Sequence, residues 1–328
     1  MRLNISSACM FIQALLLAQG AISEAQLTVD FYRSSCPNLQ FIVRGTMQVA
    51  VMNETRIAAS ILRLFFHDCF VQGCDASVLL DDTPTMKGEK SAFPNANSLR
   101  GFDVIDIIKA NVEAYCPGVV SCADILALAS RDAVVLSGGP GWNVLLGRRD
   151  SLTASVSLAK SNLPAPTDDL NTLIQKFQAQ GLSVQDLVTL SGAHTIGLAR
   201  CTTFKNRLYN NGGSGMPDQT MNMAYLQQLQ SICPSTGGDD NLALLDFMTP
   251  SRFDTLYYKN LLYQRGLLNS DQELYSSNDS STSTIVSSYA QNWRLFYQNF
   301  ATSMISMGNV NPLMGNSGSI RKNCRVVS

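Results

Sequence analysis

The chain contains two histidines, His67 and His194, and each stands in a dense local pattern. The first is Arg63-Leu-Phe-Phe-His67-Asp68-Cys69-Phe70. Arg63 and His67 have the i, i+4 spacing that sets two side chains on one helix face. A permanent cation beside a near-neutral base suits deprotonation of a small oxygen species and stabilisation of the resulting charge. The pair would equally well make a salt-bridged helix surface. The second pattern is Leu190-Ser-Gly-Ala-His194-Thr195-Ile-Gly197. A histidine near a helix end, among small residues, lets a flat cofactor approach, and histidine is a common axial ligand of haem iron. A satisfied core histidine is the other reading, and spacing alone decides neither case.

These residues must be positioned by helices. Pro37 suits a first turn, and Leu39, Ile42, Val43, Met47, Ala50 and Val51 follow at helical spacing. Further helices are expected from about Glu54 to Asp68, from Phe102 to Tyr115 and from Ala123 to Leu136, the last stopped by Ser137-Gly-Gly-Pro140. Asp169 to Gln180 ends at Gly181, and Ser183 caps a helix running through Leu187, Leu190 and His194. Loops are expected at Leu163 to Pro166, Asn210 to Gly215, Ser235 to Asn241 and Ser276 to Thr284. Sustained alternation of period two is scarce, so the expected architecture is mainly α-helical, in two lobes, without a large sheet.

Composition narrows the function. The 24 Lys and Arg nearly balance 25 Asp and Glu over 328 residues, so no basic field favours nucleic acid. With 45% hydrophobic and 15% charged residues the chain has the makings of a large core. Arg2 precedes an apolar run from Ala8 to Leu17, and Ser23-Glu24-Ala25 has the small-x-small form of a cleavage site. Residues 1–25 are therefore expected to be a signal peptide and 26–328 the mature protein. No second segment is long and apolar enough to span a bilayer. Of nine cysteines, Cys9 leaves with the leader, and the even remainder suits an oxidising compartment. Eight cysteines allow 105 pairings, so spacing assigns none. Paired CxxC ligands for zinc are missing, as are a phosphate-binding glycine loop and Gly-x-Ser-x-Gly. Asn53 and Asn278 begin Asn-x-Ser/Thr triplets, candidate glycan sites.

Taken together, five stretches closely resemble the secreted plant haem peroxidases, the class III peroxidases. They are Arg63 to Ser77, Val120 to Asp124, Leu146 to Asp150, Leu190 to Gly197 and Ser270 to Leu274, in the family's order over nearly the whole mature chain. The resemblance implies a two-lobed helical fold with one haem b between distal and proximal helices, four disulfides and two calcium ions. It implies that His194 is the axial iron ligand and that Asp271 accepts a hydrogen bond from its other ring nitrogen. His67 would be the general acid and base, Arg63 the stabiliser of the transition state, and Asn95 the amide that orients His67. Phe66 would restrict access at the distal haem face, and the carbonyl of Pro164 would help hold a donor. One calcium would take Asp68, Val71, Gly73, Asp75 and Ser77; the other Thr195, Asp246, Thr249, Asp254 and a carbonyl of Arg252. The implied disulfides are Cys36–Cys116, Cys69–Cys74, Cys122–Cys324 and Cys201–Cys233.

The activity so implied is reduction of hydrogen peroxide to water with oxidation of phenolic donors in two one-electron steps. Thr167 and Thr203 stand where some relatives carry phenylalanines at the haem edge, which implies a weaker hold on small aromatic donors. The chain ends soon after Cys324, without the tail of vacuolar relatives, so an extracellular destination is expected. A monomer with no membrane or nucleic-acid partner is expected as well. Two other classes compete. A non-catalytic haem or calcium carrier would be favoured by loss of Arg63, His67 or Asp271, and all three are present. A glycosidase with paired carboxylates would give the histidines and the cysteine frame no role.

Overall fold

The structure is a computed structural model that describes residues 26–277 and 279–327. The expected leader and the Asn278 glycan site lie outside the described residues. Thirteen α-helices occur among the described residues, with one two-stranded ribbon, β1 (Leu198–Arg200) antiparallel to β2 (Leu242–Leu244). The expectation of a mainly helical fold without a large sheet therefore holds.

Four helices build the first half. α1 (Leu39–Asn53) turns Leu39, Val43 and Met47 inward at four-residue spacing. α2 (Ile57–Cys69) is apolar almost all round and is correspondingly buried. α3 (Phe102–Tyr115) has both bounds read from the sequence. α4 (Cys122–Leu136) starts where Ser121 Oγ accepts from Asp124 N at 3.1 Å, and it is buried along nearly its whole length. α2 packs across α4, with α1 against both α3 and α4. The expected helix from Glu54 begins instead at Ile57, because Glu54 and Arg56 sit in a preceding turn.

The second half starts with α5 (Val156–Asn162) and α6 (Leu170–Ala179), the latter capped by Asp169 Oδ1 on Thr172 N at 2.8 Å. α7 (Val184–Ser191) opens with a reciprocal cap between Ser183 and Asp186. It does not run on through His194 as expected. Gly192–Thr195 tighten into a 3-10 turn, pressed by Tyr258 and Phe296, whose atoms occupy the space a Cβ on Gly192 would need. There follow α8 (Lys205–Tyr209), α9 (Met223–Ile232), α10 (Leu256–Leu262), α11 (Asn269–Ser276), α12 (Ser280–Gln291) and α13 (Trp293–Gly308).

The expected loop from Ser276 to Thr284 is corrected by α12, which begins at Ser280 with Asp279 as its cap. Its serines read as a turn because they compete locally for backbone groups. Here Ser283, Ser287 and Ser288 instead bond the carbonyls four residues back, while Thr282, Val286 and Tyr289 face the core.

Two apolar cores result. The larger joins α1–α4 to α6, α7 and α10–α13, and α13 packs against both α7 and α2. The smaller lies under Cys201–Leu245, Leu267 and Leu268. Cys36–Cys116, Cys69–Cys74, Cys122–Cys324 and Cys201–Cys233 are all bonded, the pairings the resemblance implies. Closing a loop restrains the unfolded chain more as the loop lengthens. Cys122 and Cys324 are 202 residues apart, so the double change C122S/C324S is expected to cost about 5 kcal/mol on the loop-entropy relation. The equivalent change at Cys69 and Cys74, only 5 apart, is expected to cost about 2 kcal/mol. Denaturant midpoints of the two variants check the order; a reversed order would refute the loop-length account.

Candidate active site

His67 lies near the end of α2, buried, with Nδ1 2.6 Å from Asn95 Oδ1. The Asn95 amide nitrogen donates to Glu89 O at 2.9 Å, which leaves its oxygen facing the ring. Only a protonated Nδ1 satisfies that oxygen, so Nε2 keeps the free lone pair. Burial, reinforced by the Arg63 charge, holds the imidazole well below its ordinary pKa, against the opposing pull of Asn95. His67 is thereby a neutral base even in mildly acidic solution.

Arg63 sits one turn back on the same helix. It donates to Pro94 O at 3.0 Å and to Ser98 Oγ at 3.2 Å. Burial, with a smaller contribution from Arg56, lowers it to about 10, so it stays charged at neutral pH. Phe66, half-buried, stands edge-on to His67 and against Phe70. One face of α2 and the Phe93–Ser98 turn thus bring Arg63, Phe66, His67 and Asn95 into one cluster.

A second cluster forms around His194 on the 3-10 turn. Its Nδ1 donates to Asp271 Oδ1 at 2.7 Å. Asp271, in the first turn of α11, is buried, and Oδ1 also accepts from the Tyr257 hydroxyl at 2.9 Å. Burial pushes the Tyr257 phenol well up from its ordinary value, with the Asp271 charge adding, so the hydroxyl stays a donor. A carboxylate on Nδ1–H fixes the tautomer and leaves Nε2 as a ligand atom. The His194 side chain keeps 35% of its surface exposed while Asp271 keeps 2%, so the outer ring edge faces open space. Neither histidine Nε2 has a hydrogen-bond partner among the described residues. One histidine is buried and the other open-faced, and each is anchored through Nδ1 with its Nε2 unengaged among the described residues.

Two oxygen-rich cradles adjoin these clusters. In the first, Asp68 accepts from Ala76 N at 2.9 Å and Asp75 from Ser77 N at 3.0 Å. Burial raises Asp68 well above the usual carboxylate range, with the Asp75 charge adding. It raises Asp75 to about 6 and Glu89, which faces Ser77, to about 8. Ser77 Oγ and Glu89 Oε2 are buried without a hydrogen-bond partner. Orphan oxygens among buried carboxylates are what a cation would satisfy. The loop needs the left-handed backbone of Gly73, where a Cβ would strike Asn311. In the second cradle, Thr195 Oγ1 and Thr249 Oγ1 lie 3.1–3.5 Å from oxygens of Asp246 and Asp254. Arg252 points its side chain to solvent, and its backbone N–H donates to Thr249 O. No cluster of three or more His, Cys, Asp or Glu suited to a metal occurs among the described residues. The first cradle instead gathers Asp68, Asp75 and Glu89 about the Ser77 hydroxyl, and the second joins Asp246 and Asp254 to the hydroxyls of Thr195 and Thr249.

Pro164 is half-buried in a loop tied to α11 by Ser270 N on Pro166 O (3.1 Å) and Asn269 Nδ2 on Asp168 O (3.2 Å). The Pro164 loop and Asp271, the partner of His194, therefore share one support. Three residues of the site escaped the sequence reading. Tyr257 sits in the Leu256-Tyr-Tyr258 run, which reads as core. Glu89 and Ser98 carry no local signal; only the fold brings them to Ser77 and Arg63.

Comparison with known proteins gives a consistent result. The family model described as Peroxidase matches residues 43–292. The chain is 55% identical to Peroxidase 9 of Arabidopsis thaliana over 93% of this chain and 88% of that protein. It is 54% identical to Peroxidase 4 of Vitis vinifera over 93% of each. Peroxidase 15 of Ipomoea batatas is likewise 54% identical, over 92% of this chain and 93% of its own.

Proposed function

We infer a mechanism from the premise that this chain belongs to the peroxidase family, as a plant class III peroxidase. It is an enzyme that reduces hydrogen peroxide at the expense of a donor. The observation that carries the mechanism is the pair of anchored histidines, His67 through Asn95 and His194 through Asp271.

His194 would hold one haem b through Nε2, and Asp271, by accepting from Nδ1, would make that imidazole a stronger donor. When bound, haem supplies the redox centre that takes electrons singly from a donor after peroxide cleavage. His67 Nε2 takes a proton from one oxygen of hydrogen peroxide and returns it to the other as water leaves. Arg63, pinned by Pro94 and Ser98, meets the negative charge that develops as the O–O bond breaks. Asn95 keeps His67 in the tautomer this requires. Phe66 narrows the approach so that small peroxides reach His67 and bulky donors stay outside. Donors would be phenols, met at the edge by the carbonyl of Pro164.

Calcium would occupy both cradles: Asp68, Val71, Gly73, Asp75 and Ser77 in the first, and Thr195, Asp246, Thr249, Arg252 and Asp254 in the second. Asp68 follows His67 and Thr195 follows His194, so each ion would steady a histidine. The mature chain from residue 26 acts as one catalytic unit, secreted to the cell exterior and monomeric. No helix among the described residues is long and apolar enough to cross a membrane.

The test is the visible spectrum of calcium-loaded protein with haem, before and after one equivalent of hydrogen peroxide. A ferric Soret band that shifts promptly and returns on adding a phenol is expected. His194→Ala should lose the histidine-ligated spectrum while staying folded. A folded wild type that binds no haem would overturn the assignment of His194.

A further inference from the structure

We propose that Tyr257 is a positioning residue that sets how strongly Asp271 draws the Nδ1 proton of His194. The proposal rests on the reading of His194 as the axial ligand. Its starting point is a shared atom: Asp271 Oδ1 accepts from His194 Nδ1 at 2.7 Å and from the Tyr257 hydroxyl at 2.9 Å. The three residues come from three elements, the 3-10 turn, α10 and α11, and converge on that one oxygen.

A carboxylate oxygen has two lone-pair sites, and here both are taken. Hydrogen bonds to one acceptor compete, because each donor withdraws charge that the other would use. The stronger the phenol's share, the less the Nδ1 proton moves toward Asp271, and the less anionic the imidazole becomes. Among the described residues Asp271 Oδ2 meets Leu268 N alone, at 3.4 Å, so neither His194 nor Tyr257 shifts to it. Tyr257 is buried, so no solvent competes for its hydroxyl, and its ring is held between His194 and Tyr258.

Tyr258 supplies the contrast. It is equally buried and packed edge-on to Tyr257, but its hydroxyl donates to the backbone carbonyls of Val188 and Thr189. It bears on the turn that carries His194 through Gly192 but never touches the histidine's carboxylate. Withdrawal of charge from Asp271 therefore separates the two tyrosines, and packing against the turn does not.

The experiment compares haem-loaded wild type, Tyr257→Phe and Tyr258→Phe by ferrous resonance Raman and by redox titration. Tyr257→Phe is expected to raise the iron–histidine stretching frequency and lower the ferric/ferrous potential, because a freed Oδ1 takes more of the His194 proton. Tyr258→Phe is expected to match wild type on both. Wild-type values in Tyr257→Phe, or equal shifts in both variants, would overturn the proposal. Should Tyr257→Phe fail to fold, 3-fluorotyrosine at position 257 keeps the hydroxyl and makes it a stronger donor. Both observables should then move the opposite way, and unmoved values would again overturn the proposal. A wild type that binds haem without an iron–histidine band overturns the ligand assignment and the proposal together. A band that is present but unmoved sinks the proposal alone.

Discussion

His67→Leu is expected to lower the second-order rate with hydrogen peroxide by about 10⁴-fold, the upper end of what a positioned acid–base group contributes. The large figure follows from the double duty of Nε2, which must first accept and then deliver the same proton. Leucine keeps the bulk beside Phe66, so the ferric spectrum should be unchanged and the loss confined to the peroxide step in stopped flow. The pH profile sharpens this. Burial and Arg63 hold His67 well below its ordinary range, so the wild-type rate should stay level through pH 6.5 and fall only in stronger acid. Asn95→Asp would put a charge on the Nδ1 proton and move that acid limb to higher pH. A wild-type limb centred in the ordinary imidazole range would contradict the buried-base account.

Chelation of calcium is expected to destabilise the protein, and more so at pH 8 than at pH 5. Without a cation, Asp68, Asp75 and Glu89 have folded-state pKa values raised by burial, to about 6 for Asp75 and about 8 for Glu89. A group raised on folding favours the folded state while protonated. Its contribution is full below the unfolded pKa and is lost as pH rises through the folded value. The calcium-free protein should therefore weaken steadily between about pH 4 and pH 8. A bound dication stabilises the ionised carboxylates and removes that slope. At a thousandfold excess over Kd, binding contributes about 4 kcal/mol. That corresponds to a Tm difference of about 6 °C for a chain of this size. Scanning calorimetry with and without chelator measures it, and a gap that is constant or wider at pH 5 would refute the argument.

Local signals were legible in the sequence wherever neighbours along the chain decide the outcome. Ser183 caps its helix as expected, and the helix expected from Asp169 opens there, because in both an acceptor reaches a backbone N–H three residues on. Phe102–Tyr115 shows its apolar stripe in full. His194 defeated the helical reading because Tyr258 and Phe296, distant in sequence, press on Gly192 and tighten the turn. The serine-rich start of α12 failed for the same reason: packing on α7, α10 and α11 outweighs a weak local preference. At the site, the histidines were visible by their rarity, but their roles came only with the family resemblance. Tyr257 and Glu89 stayed hidden, because a tyrosine announces no carboxylate partner on another helix and a glutamate does not announce its burial.

The bond between Cys122 and Cys324 has a consequence for how the molecule is made. It ties the first residue of α4, in the middle of the larger core, to the far end of the chain. Cys36, Cys69 and Cys201 each meet their partners within 80 residues, so those three bridges can close while synthesis continues. Cys122 has no partner until Cys324, 202 residues later, has been made. Oxidative locking of the core therefore comes last of the four bridges, and Cys122 must be kept from its earlier neighbours until then. Any transcript or protease that removes the stretch from Cys324 onward releases a chain with one orphan thiol, ready to cross-link to another copy.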